Sequence, residues 1–134
     1  RSMTVRSTPR VTIATVPKLR GSMSAKQYMR AHGAVMGKTT FGIGTLQGAA
    51  GHAYARHGKS GDTLRRAAMG SLGAGAVGTA AAFTNRRVRQ GQNDFHKLGL
   101  GARLAVQSFH LGANLAGHAV GWGASHYAHK LARR

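Results

Sequence analysis

Acidic side chains are nearly missing from this sequence. Asp62 and Asp94 are the only two in 134 residues, against 20 lysines and arginines, and the net charge is +18 with histidine neutral. Ordinary domains carry both signs in rough balance. Here the cations have almost nothing inside the chain to pair with, so they repel one another until an outside polyanion is present. The same shortage removes most routes to catalysis, because general acid–base work needs an orienting partner that is usually a carboxylate. Cysteine is absent, which excludes disulfides and thiolate metal sites. Proline occurs only at Pro9 and Pro17, so everything beyond Pro17 is free to form long helices. Four Phe, three Tyr and one Trp are too few for a platform that stacks single-stranded bases. With 20 glycines and many alanines, a self-sufficient apolar core is not expected. Much of the stability should come from assembly and from a bound polyanion, both of which favour the folded state by mass action.

Long hydrophobic runs are also lacking. Arg1 to Arg20 is basic without an apolar centre, so no signal peptide is read there. An opening on Arg1 in place of Met hints at processing or at a longer precursor. Ala67–Asn85 is uncharged for nineteen residues, long enough to span a bilayer. Its content is mostly Gly, Ala, Ser and Thr, with Leu72, Val77 and Phe83 as the larger apolar groups, which is poor material against lipid tails. Leu104–His129 also lacks formal charge but holds His110, Asn114, His118 and His126. Both stretches are expected to be packed protein helices.

What is present is arginine, 14 against six lysines. Guanidinium forks bind phosphate bidentately and shed water more easily than ammonium groups. The cations gather in a few places. Residues 1–21 read as an extended basic arm, in which Val11, Ile13 and Val16 disfavour helix and Arg1, Arg6, Arg10, Lys18 and Arg20 are candidate backbone contacts. Residues 22–134 read as an all-α helical domain of about three long Gly/Ala-rich helices, near 24–57, 62–89 and 94–132. Ser24 with Gln27 has the form of a capping box, and Asp62 and Asp94 stand where helix N-termini favour a negative side chain. His57-Gly58-Lys59-Ser60-Gly61 and Gln90-Gly91-Gln92-Asn93 are the expected turns. Arg56, Lys59, Arg65 and Arg66 surround the first; Arg86, Arg87, Arg89 and Lys97 surround the second; Lys130, Arg133 and Arg134 end the chain.

Glycines and alanines recur at helical spacing: Gly33 with Gly37, Gly44 with Gly48, Gly70-Ala74-Gly78 and Ala113-Gly117-Gly121. Such stripes let helix backbones approach closely, or let a helix approach a sugar-phosphate surface. The last helix has two further faces. Leu104, Leu111, Leu115 and Trp122 lie on one side; Arg103, Gln107, His110, Asn114 and His118 form a polar stripe on another. That stripe could face solvent, a partner or nucleic acid.

Motifs of chemistry are weak. Gly33–Thr40 reads Gly-Ala-Val-Met-Gly-Lys-Thr-Thr, but a phosphate-binding loop needs four residues between its glycines and a preceding strand. Lys38 is better read as a phosphate contact. His126 and His129 are three apart, with His118 eight before the first. No carboxylate or thiol stands near to complete a metal site, so no metal, cofactor or catalytic residue is expected. Zinc-finger spacing, basic-zipper heptads and RNA-binding boxes are all absent, which leaves sequence-independent contact with a duplex backbone. The candidate contacts are Arg6, Arg10, Lys18, Arg20, Arg30, Lys38, Arg56, Lys59, Arg65, Arg66, Arg86, Arg87, Arg89, Lys97 and Arg103.

A short basic chain with an extended arm, long helices and no active site resembles the major capsid proteins of filamentous archaeal viruses, the rod-shaped and enveloped filamentous groups. The resemblance covers the layout of the whole chain and rests on no diagnostic motif. It implies a non-enzymatic virion protein that pairs with itself or a related subunit, and whose arms and helices wrap linear double-stranded DNA in an A-like form. Arg6, Arg10, Arg20, Arg30, Arg56, Arg65, Arg66, Arg86 and Arg87 would then contact phosphate. The high glycine content departs from a compact bundle and favours extended, wrapping helices. Two other classes share the charge: a cellular architectural or ribosomal protein, and a membrane-active virion protein.

Overall fold

The computed structural model describes residues 21–58 and 61–134. The arm, with Arg6, Arg10, Lys18 and Arg20, lies outside the described residues, as does Lys59 in the first turn. The described part is all-α. Four helices follow one another: α1 (Ala25–Arg56), α2 (Thr63–Ala82), α3 (Arg86–Phe95) and α4 (Leu100–Ala132).

α1 starts where Ser24 says it should. The Ser24 hydroxyl accepts from the Gln27 amide at 3.1 Å, and the Gln27 side chain accepts from the Ser24 amide at 2.9 Å, so two amides left over at the helix start are satisfied reciprocally. The helix ends at His57, and Gly61, at φ +106°, supplies the left-handed turn residue before α2. Asp62 occupies the N-cap position of α2, but its side chain makes no capping hydrogen bond.

The expected second and third helices need correction. The chain does not turn at Gln90–Asn93; that segment lies inside α3. The breaks fall at Phe83–Asn85 and His96–Gly99 instead. Asn85 caps α3 by accepting from the Arg87 amide at 2.8 Å. Gly91 marks close packing and no turn: a Cβ there would stand 2.7 Å from the Met36 sulfur. Asp94 is correspondingly no N-cap. It sits in the last turn of α3, and α4 starts after Gly99.

α1 is the central helix, and α2, α3 and α4 all pack on it. The contacts give the directions. Gly78 of α2 meets Ile43 and Gly70 meets Ala50, so α2 runs antiparallel to α1; α4 advances with α1, from Gly37 against Phe109 to Gly48 against His118. α2 and α3 are thus two successive return segments, and α4 comes back parallel to α1. Large buried apolar side chains are confined to one end, where Tyr28, Met36, Val88, Leu98 and Val106 form the apolar cluster. A Met23–Leu98 bridge, with the Met23 amide donating to the Lys97 carbonyl at 3.2 Å, ties the start of α1 to the α3–α4 turn.

Elsewhere the α1–α4 contact is backbone on backbone. A Cβ on Gly44 would meet the Asn114 carbonyl at 2.2 Å, on Gly48 the His118 carbonyl at 2.1 Å, on Gly117 the Phe41 carbonyl at 2.1 Å and on Gly121 the Thr45 carbonyl at 1.9 Å. These stripes close helices on each other within the chain, and so are not available to approach a sugar-phosphate surface.

Gly121→Ala should therefore force α4 off α1 and cost about 1–3 kcal/mol, the usual penalty for overpacking. Gly112 and Gly123 lie in the same helix with nothing within 4 Å of an added Cβ; alanine there should add about 0.5–1 kcal/mol through helix propensity. Urea denaturation followed by circular dichroism measures both. Equal losses at Gly121 and Gly112 would contradict a closed seam.

Candidate nucleic-acid interface

The polar stripe of α4 turns inward. Asn114 Nδ2 donates to Gln47 Oε1 at 2.8 Å, Gln47 Nε2 donates to the Ser71 carbonyl at 3.2 Å, and Ser71 Oγ is 2.9 Å from His118 Nε2. These bonds link α4, α1 and α2. His110 packs edge-on to Tyr28 and stacks near Phe95, with ring centroids 6.2 Å away in each case, and burial lowers its pKa. Of the stripe, Gln107 alone is exposed. The apolar side turns out: Leu104 is 62 % exposed, and Leu111, Leu115 and Trp122 are exposed with it. α2 does the same with Leu64, 84 % exposed, and Leu72, 72 % exposed. Helices in a self-contained domain show the reverse arrangement.

The candidate contacts among the described residues divide into two groups. Arg30, Lys38, Arg65, Arg86 and Arg87 are exposed, and their side chains enter no hydrogen bond or ion pair recorded among the described residues. Arg30 and Lys38, eight positions apart, fall on one flank of α1. Arg86 and Arg87 open α3.

Arg66, Arg89 and Arg103 hold the fold. Arg66 Nε donates to the Tyr54 carbonyl at 2.9 Å, and its guanidinium lies 3.9 Å from the Tyr54 ring centre. Arg89 donates to the Phe83 and Thr84 carbonyls at 2.9 and 3.1 Å, closing the end of α2. Arg103 donates to Leu98 and His96 carbonyls at 2.9 and 2.7 Å, closing the turn after α3. Arg56 is half-buried, with its Nε enclosed and without a partner. Lys97 lies 3.0 Å from Asp94 Oδ1, and His32 Nε2 lies 2.6 Å from Asp94 Oδ2. Those two hydrogen bonds, His32 first, hold the Asp94 carboxyl below the ordinary carboxylate range. The His32 half of this role carries no local signal, since His32 lies 62 positions away.

Gly33–Thr40 is mid-helix. Thr39 and Thr40 donate to the Val35 and Met36 carbonyls at 2.7 and 2.6 Å, so the backbone amides and both hydroxyls are already engaged. Among the described residues, no three histidines or acids gather as metal ligands. No described helix is long and apolar enough to cross a membrane. Comparison of the chain with protein-family models, curated proteins and solved structures gives no match.

The division of the arginines is open to test. Arg86→Gln and Arg87→Gln should each reduce the salt dependence of duplex binding by about 0.9 in log–log slope without lowering the melting temperature. Arg103→Gln should lower the melting temperature, because two carbonyls lose a charged donor, and leave the slope nearly as it was. Salt titrations by fluorescence anisotropy, beside thermal melts, distinguish the two behaviours.

Proposed function

We propose that the chain is a virion structural protein that coats and compacts double-stranded DNA as one subunit of a helical filament. The observation that carries this reading is the disposition of charge. Asp94 is engaged by His32 and Lys97, Asp62 sits at the start of α2, and Arg30, Lys38, Arg65, Arg86 and Arg87 stand exposed on α1, α2 and α3 for an outside polyanion. Contacts of that kind recognise phosphate spacing and carry no base information. The outward apolar sides of α2 and α4 support the second half of the proposal. Monomeric proteins seldom expose large contiguous apolar surface, and neighbouring copies would cover it. A protein that instead lays those faces on an anionic lipid surface is the second reading, favoured by the same exposed leucines and by Trp122.

Binding of two unrelated duplexes should be equally tight at each salt concentration. Five phosphate contacts set a log–log slope of at least about −4.5. Negative-stain images of protein mixed with linear duplex should show regular filaments. A salt-insensitive monomer that leaves DNA unbound would overturn the proposal. Flotation with neutral vesicles would move the conclusion to the lipid reading.

A further inference from the structure

The apolar cluster lies at one end of the α1–α4 pair; the other end is closed around a histidine. His52, in the last third of α1, is only 5 % exposed and is the one buried polar side chain among the described residues. Its Nδ1 lies 2.7 Å from Ser125 Oγ on α4. The Trp122 ring meets it edge-on at 4.9 Å between centroids, and the His126 ring at 5.5 Å. A cavity of about 400 Å³ beside it is lined by Ala55, Arg56, Gly58, Thr63 and Trp122.

Among the described residues, the charged and titratable groups around this histidine are all basic. α1 contributes Arg56, one turn on. α4 contributes His126. α2 contributes Thr63, while its Arg66 is turned onto Tyr54. No carboxylate lines the cavity: Asp62 stands outside its wall, and Asp94 is held by His32 and Lys97 at the other end of α1. A proton on His52 would therefore place a second cation beside Arg56, on a side chain packed against Trp122 and Ser125, with no carboxylate on the cavity wall to neutralise it.

We propose that His52 is an acid-sensitive latch, whose protonation frees the C-terminal half of α4 from α1 while the Tyr28–Leu98–Val106 end stays closed. The selectivity follows from where the side chains are. Beyond Asn114, α4 is held by the glycine seam at Gly117 and Gly121, by His118 on Ser71 and by the Ser125–His52 contact. None of the large fully buried side chains lies there.

The direction with pH follows from the burial. Desolvation first, then Arg56 and His126, lower the His52 pKa in the closed form. Once α4 has moved away, the ring returns toward the ordinary value near ~6.5. Closure is fully favoured above that value. As pH falls through it, the open form takes up the proton first and the closed form loses ground, until the closed form's own lower pKa is passed. Each unit between the two pKa values multiplies the open population by about ten.

Hydrogen exchange on the full chain, corrected for the intrinsic rate, should report this opening between neutral pH and about pH 5. Amides of 115–132 should lose protection by up to about tenfold per unit of depression, and amides of 100–110 should not. His52→Gln, which keeps a neutral hydrogen-bonding group, should abolish the step. Arg56→Gln, which leaves His52 in place, should shrink it by removing the nearest cation. The single tryptophan, Trp122, should shift its emission to the red in the wild-type chain and not in His52→Gln. A step that survives in His52→Gln, or that vanishes in His126→Gln with His52 intact, would overturn the proposal. So would uniform loss of protection along α4. Should His52→Gln fail to fold at neutral pH, an unchanged step in Arg56→Gln would count against the latch on its own.

Discussion

The direct approach of α1 and α4, backbone against backbone, is the constraint on which the rest of the fold depends. Four glycines make it: Gly44 and Gly48 on one helix, Gly117 and Gly121 on the other, each with a carbonyl of the opposite helix where a Cβ would be. Glycine is a poor helix residue, costing about 0.5–1 kcal/mol against alanine at each position. Its recurrence at this spacing is reasonable only if close approach returns more than that. The return is dense van der Waals contact over a long seam, together with the geometry that lets Asn114, Gln47, Ser71 and His118 reach one another across three helices. With the backbones so close there is no room between them for leucines.

That geometry explains why the amphipathicity of α4 is reversed. The α1-facing surface is filled by glycine and by short polar groups that can bond across a narrow gap. Leu104, Leu111 and Leu115 have nowhere to go but outward. A chain folded this way keeps only a small apolar cluster of its own, around Tyr28, Val88, Leu98 and Val106, and presents most of its large aliphatic surface to whatever lies beyond it. Anything that covered that surface in the folded chain alone would add to its stability by mass action.

What was legible in the sequence was local. The capping box at Ser24 and Gln27 appears as two hydrogen bonds, and the small-residue stripes appear as helix contacts. The all-α class followed from the missing prolines. What was not legible depended on distant partners. Gln90-Gly91-Gln92-Asn93 has the composition of a turn, but Gly91 is there to admit Met36. Asp94 has the position of a cap, but His32 and Lys97 claim it. The two faces of α4 were separable by periodicity. Which of them is inside was not, since hydropathy alone would have put the leucines there. Among the basic residues, charge could not distinguish Arg86, which is exposed, from Arg103, whose donors close a helix end.

Arg103, Arg89 and Arg66 make a further point about a chain of net charge +18. With only two carboxylates, arginine cannot be satisfied by ion pairs, yet three of these guanidinium groups are tied to main-chain carbonyls, two of them at helix ends. The carbonyl end of a helix carries partial negative charge and unused acceptors, so it serves as the counter-charge that the side chains do not provide. This arrangement lets part of a polycation fold onto itself, but it satisfies only the arginines that reach a carbonyl. The same supply of helix ends cannot serve Arg30, Lys38, Arg65, Arg86 and Arg87, which stand on exposed helix surfaces. Their mutual repulsion persists in the isolated subunit and is relieved only by anions from outside. A polyanion that neutralised the exposed set would for that reason stabilise the same helices that the capping arginines close.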